Sequence, residues 1–478
     1  MNDLSGLVEE EILDELAQYT VNKTQKLTLT HNRFDLAIKL YFLEGLSSTH
    51  YSSYRDNCYK QHIKSFSDGT FSEPNNSEKN SYEEFERVFK LLYNDIKENG
   101  FSSEKSLIPL AIDGSILNGA HRASAIIFSK QTAGVINTQL PARNFDYKYF
   151  KDRGMPIDML DIAAKTYIEY DENCFLAIVW PAAKGRDEAI ENILSKVVYK
   201  KSVKLNYNGA HNLLVEAYKD ELWLGPKEKN FPGIKNKLVG CFPNFDDIRV
   251  YIFKADNLDE VLVLKDKVRN LFGIEKHAIH ITDNKEETLR VGGLLLNSNG
   301  IHFLNYAFPQ KFLGLQLNRV PELLSAKSLD EKKVIFDESM VLDIYGLRKS
   351  IHITFRINPN LQEHLSVKAW PLNEFYLTEE VELFDHPKFY FYFKGFKFIS
   401  LKEVYLMKKR RSSDQDLKDI KLIKQLMKNS IIRDKLDLIR CSFYFKKIMF
   451  IAKIKQSLAK IFMKFGIYDV IKKTIGKR

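Results

Sequence analysis

The run DGSILNGAHRASA, Asp113 to Ala125, fixes the reading of the first third of the chain. Asp-Gly and Asn-Gly are turn dipeptides: glycine takes a positive φ without a Cβ clash, and the Asp or Asn side chain bonds its own backbone. The preceding SLIPLAI is apolar enough for a strand. The run therefore predicts a strand, a tight turn at Asp113-Gly114, a short strand, a second turn at Asn118-Gly119 and a helix from about Ala120. His121 and Arg122 arrive at the tip of that helix. Exposed backbone N–H groups there attract anions. A guanidinium adds a forked donor suited to phosphate, and an imidazole can donate to phosphate or shuttle a proton. The same spacing equally describes a plain hairpin entering a helix, with Arg122 paired locally.

Outward from this run the chain alternates. Residues 1–70 read as helices, with apolar residues at helical spacing from Leu7 to Tyr19 and from Phe34 to Leu43. SFSDGTFSEPNNSEKNS, from Ser65, is a loop by composition. YEEFERVFKLLYNDIKENG is an amphipathic helix with Phe85, Phe89, Leu92 and Ile96 on one face and Gly100 as its C-cap. Residues 144–170 read as helical. From Cys174 to about residue 306, apolar strand runs (CFLAIV, RVYIFKA, HAIHITD) alternate with helical patterns, which argues for an α/β layer. A second mixed unit spans Val334 to Met427. The fold class is α/β and α+β multidomain, with units at 1–143, 144–310, 330–430 and 431–478.

At 478 residues the chain exceeds one compact domain, since domains run to roughly 100–200 residues. A 44% hydrophobic and 28% charged composition excludes disorder along most of the length. The 33 Phe and 23 Tyr against 3 Trp point to cores built on Phe and Tyr. Cys58, Cys174, Cys241 and Cys441 lie far apart with no CxxC, which disfavours a cysteine zinc site and a disulfide framework and fits a reducing compartment. No run reaches the roughly 18 apolar residues of a spanning helix, so a cytoplasmic location is expected. The net charge of +10 is local. Residues 431–478 carry 13 basic and 3 acidic side chains, and the remainder is balanced. The basic balance therefore describes a tail, and a nucleic-acid-binding body is not expected.

The ILNGAHRASA segment after its hairpin resembles the ParB/sulfiredoxin superfamily, whose members carry a DG-x-HR or GCHR signature at a nucleotide-phosphate site. The resemblance covers about residues 70–135. It implies a phosphate-binding role for Gly119, His121 and Arg122, with Asp113 and Gly114 as weaker candidates in the hairpin, and it implies a nucleotide cofactor such as ATP or CTP. The sulfiredoxin cysteine is absent, because Ala120 precedes His121, and no DNA-binding helices follow. Both departures favour a metabolic role.

KHAIHITDNKEE, Lys276 to Glu287, places Ala278, His280 and Thr282 on one face of a strand. His280 and Asp283 are candidate ligands or acid–base groups, with His302 as a further partner. The structural alternative makes Asp283 an N-cap with Glu286 at N3, a capping box. Both can hold, because strand ends in α/β sheets are where sites form. WPAAKGRDEAI with GAHNLLVEAYKDELWLG is a weaker cluster: Trp180, Lys184 and Arg186 follow a buried strand, either as a nucleotide or sugar-phosphate loop or as a plain loop.

IFDESMVLDIYGLRKSIHITFRI, followed by FYFYFKGFKFISLKEVYLMKKRRSSDQDLKDIKLI, resembles the polymerase-β-like nucleotidyltransferase fold over about 90 residues. That family holds magnesium on a D-x-D pair, whereas His352 and Thr354 stand here. The resemblance thus implies a catalytically degenerate unit and a weakened magnesium site. Lys408, Lys409, Arg410 and Arg411 read as a solvated turn or a phosphate-facing patch.

In the tail, Ile451, Ile454, Leu458, Ile461 and Phe465 repeat at helical spacing beside Lys453, Lys460 and Lys464. A basic amphipathic helix suits an anionic membrane surface. The order of units resembles proteins of bacterial surface-polysaccharide clusters. The expectation is a nucleotide- or sugar-phosphate-using transferase or accessory factor of capsule, O-antigen or teichoic-acid assembly, peripheral at the cytoplasmic face of the inner membrane, with polysaccharide-assembly proteins as partners. The rival expectation is a non-catalytic, nucleotide-gated binding protein.

Overall fold

The computed structural model describes residues 4–428 apart from 5, 17–18, 48–50, 74–78, 313 and 360–374, together with seven isolated helical positions between 436 and 457. The chain is mixed α/β, with three small sheets among many helices.

The first sheet holds β1 (Tyr19–Lys26), β2 (Ile108–Leu110) and β3 (Thr132–Thr138) in the order β1-β3-β2. β1 runs antiparallel to β3, and β2 runs parallel to it. β1 corrects the all-helical reading of residues 1–70. Thr20, Val21 and Thr24 are β-branched and favour extended backbone. Within Leu7–Tyr19 helix is confined to Glu10–Glu15, whereas Asp35–Leu46 and Ser53–Phe66 are helical as read. The predicted turns are present. Gly114 has φ 81° and Gly119 φ 76°, and the helix Ala120–Phe128 starts directly after Gly119. The helix Tyr82–Asn99 buries Phe85, Phe89 and Ile96 as spaced. The Ser81 hydroxyl accepts from Glu84 N at its start, and Gly100 closes it at φ 79°.

The central sheet holds β4 (Cys174–Val179), β5 (Val197–Val203), β6 (Ile248–Lys254) and β7 (Ile279–Ile281) in the order β5-β6-β4-β7. Every neighbouring pair is antiparallel. With the helices Asp187–Leu194 and Leu258–Phe272 following β4 and β6, the connectivity is that of a split βαβ sheet. Phe175, Ala177, Val179, Tyr251 and Phe253 face those two helices. Leu176, Ile178, Val250 and Ile252 face the opposite layer, which includes the helices Ile157–Tyr170 and Lys285–Leu295. The expected alternation of strands and helices is present, but the strands do not share one direction, so no common carboxyl edge gathers their ends.

The third sheet holds β8 (Val334–Phe336), β9 (Phe355–Ile357), β10 (Tyr390–Phe393) and β11 (Phe396–Ile399) in the order β10-β11-β8-β9. β8 and β11 are parallel and the other pairs antiparallel. The β10–β11 hairpin turns on Lys394 and Gly395, both at positive φ. Behind the sheet, the helix Leu401–Arg411 packs with helical residues 414–428. Of the KKRR cations Lys409 and Arg410 are exposed, as a solvated patch requires, whereas Lys408 and Arg411 are spent on carboxylates. Lys408 is buried between Asp416 and Asp419, at 3.0 and 2.9 Å. Arg411 bridges Glu338 and Asp416.

One contiguous apolar core runs from Leu27 to Ile423 across all three sheets. The units are also stapled end to end. The helix Glu380–Asp385 lies on the N-terminal helices, where Ser53 Oγ donates to Glu382 at 2.9 Å and Arg55 pairs with Asp385 at 3.0 Å. Tyr41 Oη donates to the Asp385 carbonyl at 2.7 Å, and Tyr54 stacks on His386. Among the described residues no helix is long and apolar enough to cross a membrane. The amphipathic reading of residues 451–465 falls, apart from Ile454 and Ser457, outside the described residues.

Candidate functional site: the His280 cleft

The GAHR segment folds as its spacing predicts, but its side chains turn inward. His121 Nε2 is 2.8 Å from Tyr59 Oη, and its ring packs edge-on against Phe89 at 4.6 Å. Burial, and then the charges of Lys39 and Lys79, hold the imidazole well below its usual pKa, so it stays neutral. Arg122 folds back over Gly119, where a Cβ would collide with it, and its guanidinium is taken by Glu9 and Ser106. Asp113 accepts from Asn32 and Ser115 and holds the turn at Gly114. None of these residues lines either of the two cavities described below. In this structure His121, read as catalytic, is an aromatic-packed imidazole, and Arg122 is a guanidinium that tethers the N-terminal segment, while Gly119, Asp113 and Gly114 form the turns.

KHAIHITDNKEE is placed differently. His280 and Asp283 both line a cleft of about 790 Å³. They do not pair with each other. His280 Nε2 lies 3.0 Å from Glu287 Oε1, and Asp283 takes Lys265 at 3.0 Å. Glu287 is fixed on both oxygens, because Asp283 N donates to its Oε2 at 2.8 Å. The cap lies one residue later than expected. Asn284 is the N-cap, accepting from Glu287 N at 2.9 Å, so Glu287 occupies N3. Asp and Asn cap equally well, and a glutamate stands three residues after each, so spacing fits both registers. Burial pushes the Glu287 carboxyl up. The hydrogen bond and charge of His280, with help from the Asp283 N–H and Arg290, override this and hold it below its usual value. His280 Nδ1 has no protein partner among the described residues.

Opposite this pair, cations crowd together. Lys237 donates to the Lys276 carbonyl at 2.5 Å and lies over the Tyr218 ring at 5.0 Å. Neither Lys237 nor Lys276 makes an ion pair among the described residues. Burial, and then the charges of Lys276 and Arg269, hold the Lys237 amine below its usual pKa. Arg269 reaches exposed Asp266 at 3.1 Å, yet its Nε is buried without a partner. The Tyr218 ring sits 5.0 Å from His280 and 5.3 Å from Trp223, making an aromatic wall. Gly233 admits the Trp223 carbonyl so closely that a Cβ would meet it at 1.9 Å.

No family model, curated protein or solved structure matches the chain. What the cleft can bind follows from its own chemistry. Clustered cations with an unspent N–H are relieved by an anion, and an aromatic wall beside them suits a base or sugar ring. A histidine oriented by a carboxylate is equipped for proton transfer.

The other sequence candidates lie elsewhere. Trp180 is fully buried against Phe242, Lys184 pairs with Asp246 at 3.3 Å, and Arg186 donates to the Leu271 carbonyl at 2.7 Å, so this stretch is core and loop. His302 bonds Tyr345 Oη at 3.0 Å and does not join His280. At the nucleotidyltransferase-like position His352 is exposed, and the Thr354 hydroxyl donates to the Asp337 carbonyl at 2.6 Å. The Asp337 carboxylate is taken by Arg356 and Tyr376. These residues do not fit magnesium, and among the described residues no group of three or more His, Cys, Asp or Glu side chains gathers in metal-binding geometry. Sequence reasoning missed Lys237, Arg269, Tyr218 and Glu287 as site residues. Arg269 reads as an ordinary solvated helix position, and Lys237 carries no motif.

Proposed function

We propose that the chain binds a nucleotide or sugar phosphate in the His280 cleft and transfers a phosphoryl or glycosyl-phosphate group. The observation that carries this reading is the convergence of Lys237, Lys276 and Arg269 beside the His280–Glu287 pair. The cations hold the phosphate and offset charge on the transferred group. His280 Nδ1 takes the proton of an acceptor hydroxyl as its oxygen bonds to phosphorus, Glu287 stabilises the resulting imidazolium, and the phosphoanhydride P–O bond breaks with the nucleoside mono- or diphosphate as leaving group. The test is binding of ATP, CTP and UDP-glucose to the whole protein. Lys237→Ala and Lys276→Ala are each expected to weaken binding about tenfold, as for loss of one charge-assisted bond. His280→Ala is expected to bind normally and turn over poorly, and Arg122→Ala to bind as the wild type does. No binding of any of the three, or loss confined to Arg122→Ala, overturns the reading.

A role in bacterial surface-polysaccharide assembly is supported by the resemblances of the chain's units and by the 13 basic and 3 acidic side chains of residues 431–478. In this reading the tail holds the protein on an anionic leaflet. Flotation with phosphatidylglycerol vesicles is expected to be lost on deleting residues 431–478, and undiminished flotation rejects the membrane role. The second reading, a nucleotide-gated binding protein without turnover, is favoured by one observation: His352 and Thr354 stand where the nucleotidyltransferase resemblance requires carboxylates.

A further inference from the structure

A second cavity, of about 910 Å³, opens where the N-terminal helices, the central layer and the third sheet meet. It shares Lys219, Asp220, Glu286 and Arg290 with the wall of the His280 cleft. One side is built by the β10–β11 hairpin and the helix Ile157–Tyr170. Lys397 lies there, 4.3 Å from the Tyr390 ring centre and 5.4 Å from that of Tyr392. Its amine donates to the Phe384 carbonyl at 2.7 Å and makes no ion pair among the described residues. Neither phenol hydroxyl has a hydrogen-bond partner among the described residues.

We propose that this cavity is a second ligand site, for a phosphorylated small molecule whose anionic group is held by Lys397 and the hydroxyls of Tyr390 and Tyr392. Eight basic and six acidic side chains line the cavity, and the acids are largely spent. Glu44 pairs with Arg55, Glu169 with Lys165, Glu216 with Arg290 and Glu286 with Lys219. Lys332, Lys394 and Lys397 make no ion pair among the described residues, nor do Asp220 and Glu331, so three unspent cations face two unspent carboxylates. Lys394 also occupies a hairpin-tip position at φ 51°, where Asn or Gly is the ordinary choice. That places a cation at the mouth at some cost to the backbone. Burial, then the nearby charges of Lys165 and Arg55 acting against Asp385, push the Lys397 amine down to about 8. An anion beside it supplies the missing counter-charge. The volume falls in the range of small-molecule sites, roughly 300–1,000 Å³. Because Arg55, Lys165 and Lys397 come from three different units, an occupant also ties those units together. This assignment does not rest on the His280 cleft.

The test is labelling of the whole protein with pyridoxal 5′-phosphate, an anionic aldehyde, near pH 8. The Lys397 amine condenses with the aldehyde carbonyl and releases water. Borohydride then reduces the imine to a stable secondary amine that peptide mapping locates. At that pH an amine with a pKa near 8 has roughly a hundredfold larger unprotonated fraction than an ordinary lysine. Lys397 is therefore expected to label well ahead of exposed lysines such as Lys130, and inorganic pyrophosphate is expected to slow its labelling about tenfold. Lys397→Gln removes the fast site, whereas Lys237→Ala, in the other cleft, leaves the fast labelling and its slowing by pyrophosphate in place. Labelling of Lys397 that pyrophosphate does not slow overturns the assignment in the unmodified protein, whatever the fate of the variant.

Discussion

Asp35→Asn is expected to remove about 3–5 kcal/mol from the stability of the fold, the cost of breaking a buried ion pair from one side. Asp35 is the single carboxylate between two buried cations. Its oxygens take Arg33 Nε and Nη2, each at 2.9 Å, and Lys39 Nζ at 3.1 Å. All three side chains are 3% exposed or less. Burial alone would push the Asp35 carboxyl up, but the two cations hold it far below its usual range. Neutralising Asp35 leaves two charges with no counter-ion in an apolar interior, and water cannot reach them. The exposed pair Arg87–Glu84 is the control: Glu84→Gln is expected to cost less than about 1 kcal/mol, because solvent already screens it. Urea denaturation of the two variants gives the comparison, and equal midpoints would contradict the account.

Acid is the second large effect. His62 is fully buried, with Nε2 2.9 Å from Lys39 Nζ and Nδ1 unpartnered. Burial, then the Lys39 charge, holds its pKa well below 6.5, and His121 is held down likewise. In the unfolded chain each imidazole takes up a proton as the pH falls through about 6.5, whereas in the folded chain it does not. The unfolded state then binds more protons, so stability is complete above about pH 6.5 and falls as the medium becomes more acid. The slope is about 1.4 kcal/mol per pH unit for each such imidazole. Denaturation midpoints at about pH 7.5, 6 and 5 measure it, and His62→Gln is expected to flatten the slope by one imidazole's share. A stability unchanged between about pH 7 and 5 would show these rings to be accessible to protons in the native state.

Much of the architecture was legible because local rules were strong. CFLAIV is a continuous apolar run that only a buried strand or helix core accepts, and Glu83 and Glu84 against Phe85, Phe89 and Ile96 mark a helix with one wet face. β1 was not legible: Val21, flanked by Thr20 and Asn22, is itself exposed, so no apolar face announced a strand. Strand direction in the central sheet was hidden too, because periodicity carries no sense of direction. The site was harder still. That Arg122 meets Glu9, more than a hundred residues away, depends on tertiary folding, as does the company Lys237 keeps with Lys276 and Arg269. The glycine turns were readable at Gly114 and Gly119 because their φ demands are local. What the delivered side chains would face was not.

The staple between Tyr41, Ser53 and Arg55 and the helix Glu380–Asp385 bears on how the protein is made. During synthesis the N-terminal helices emerge from the ribosome more than three hundred residues before the surface that covers them. Until then Tyr54 lacks His386 and the Arg55 guanidinium lacks Asp385. The nascent chain must carry an uncovered aromatic and charged patch through most of translation, and closure of the loop between its ends comes last.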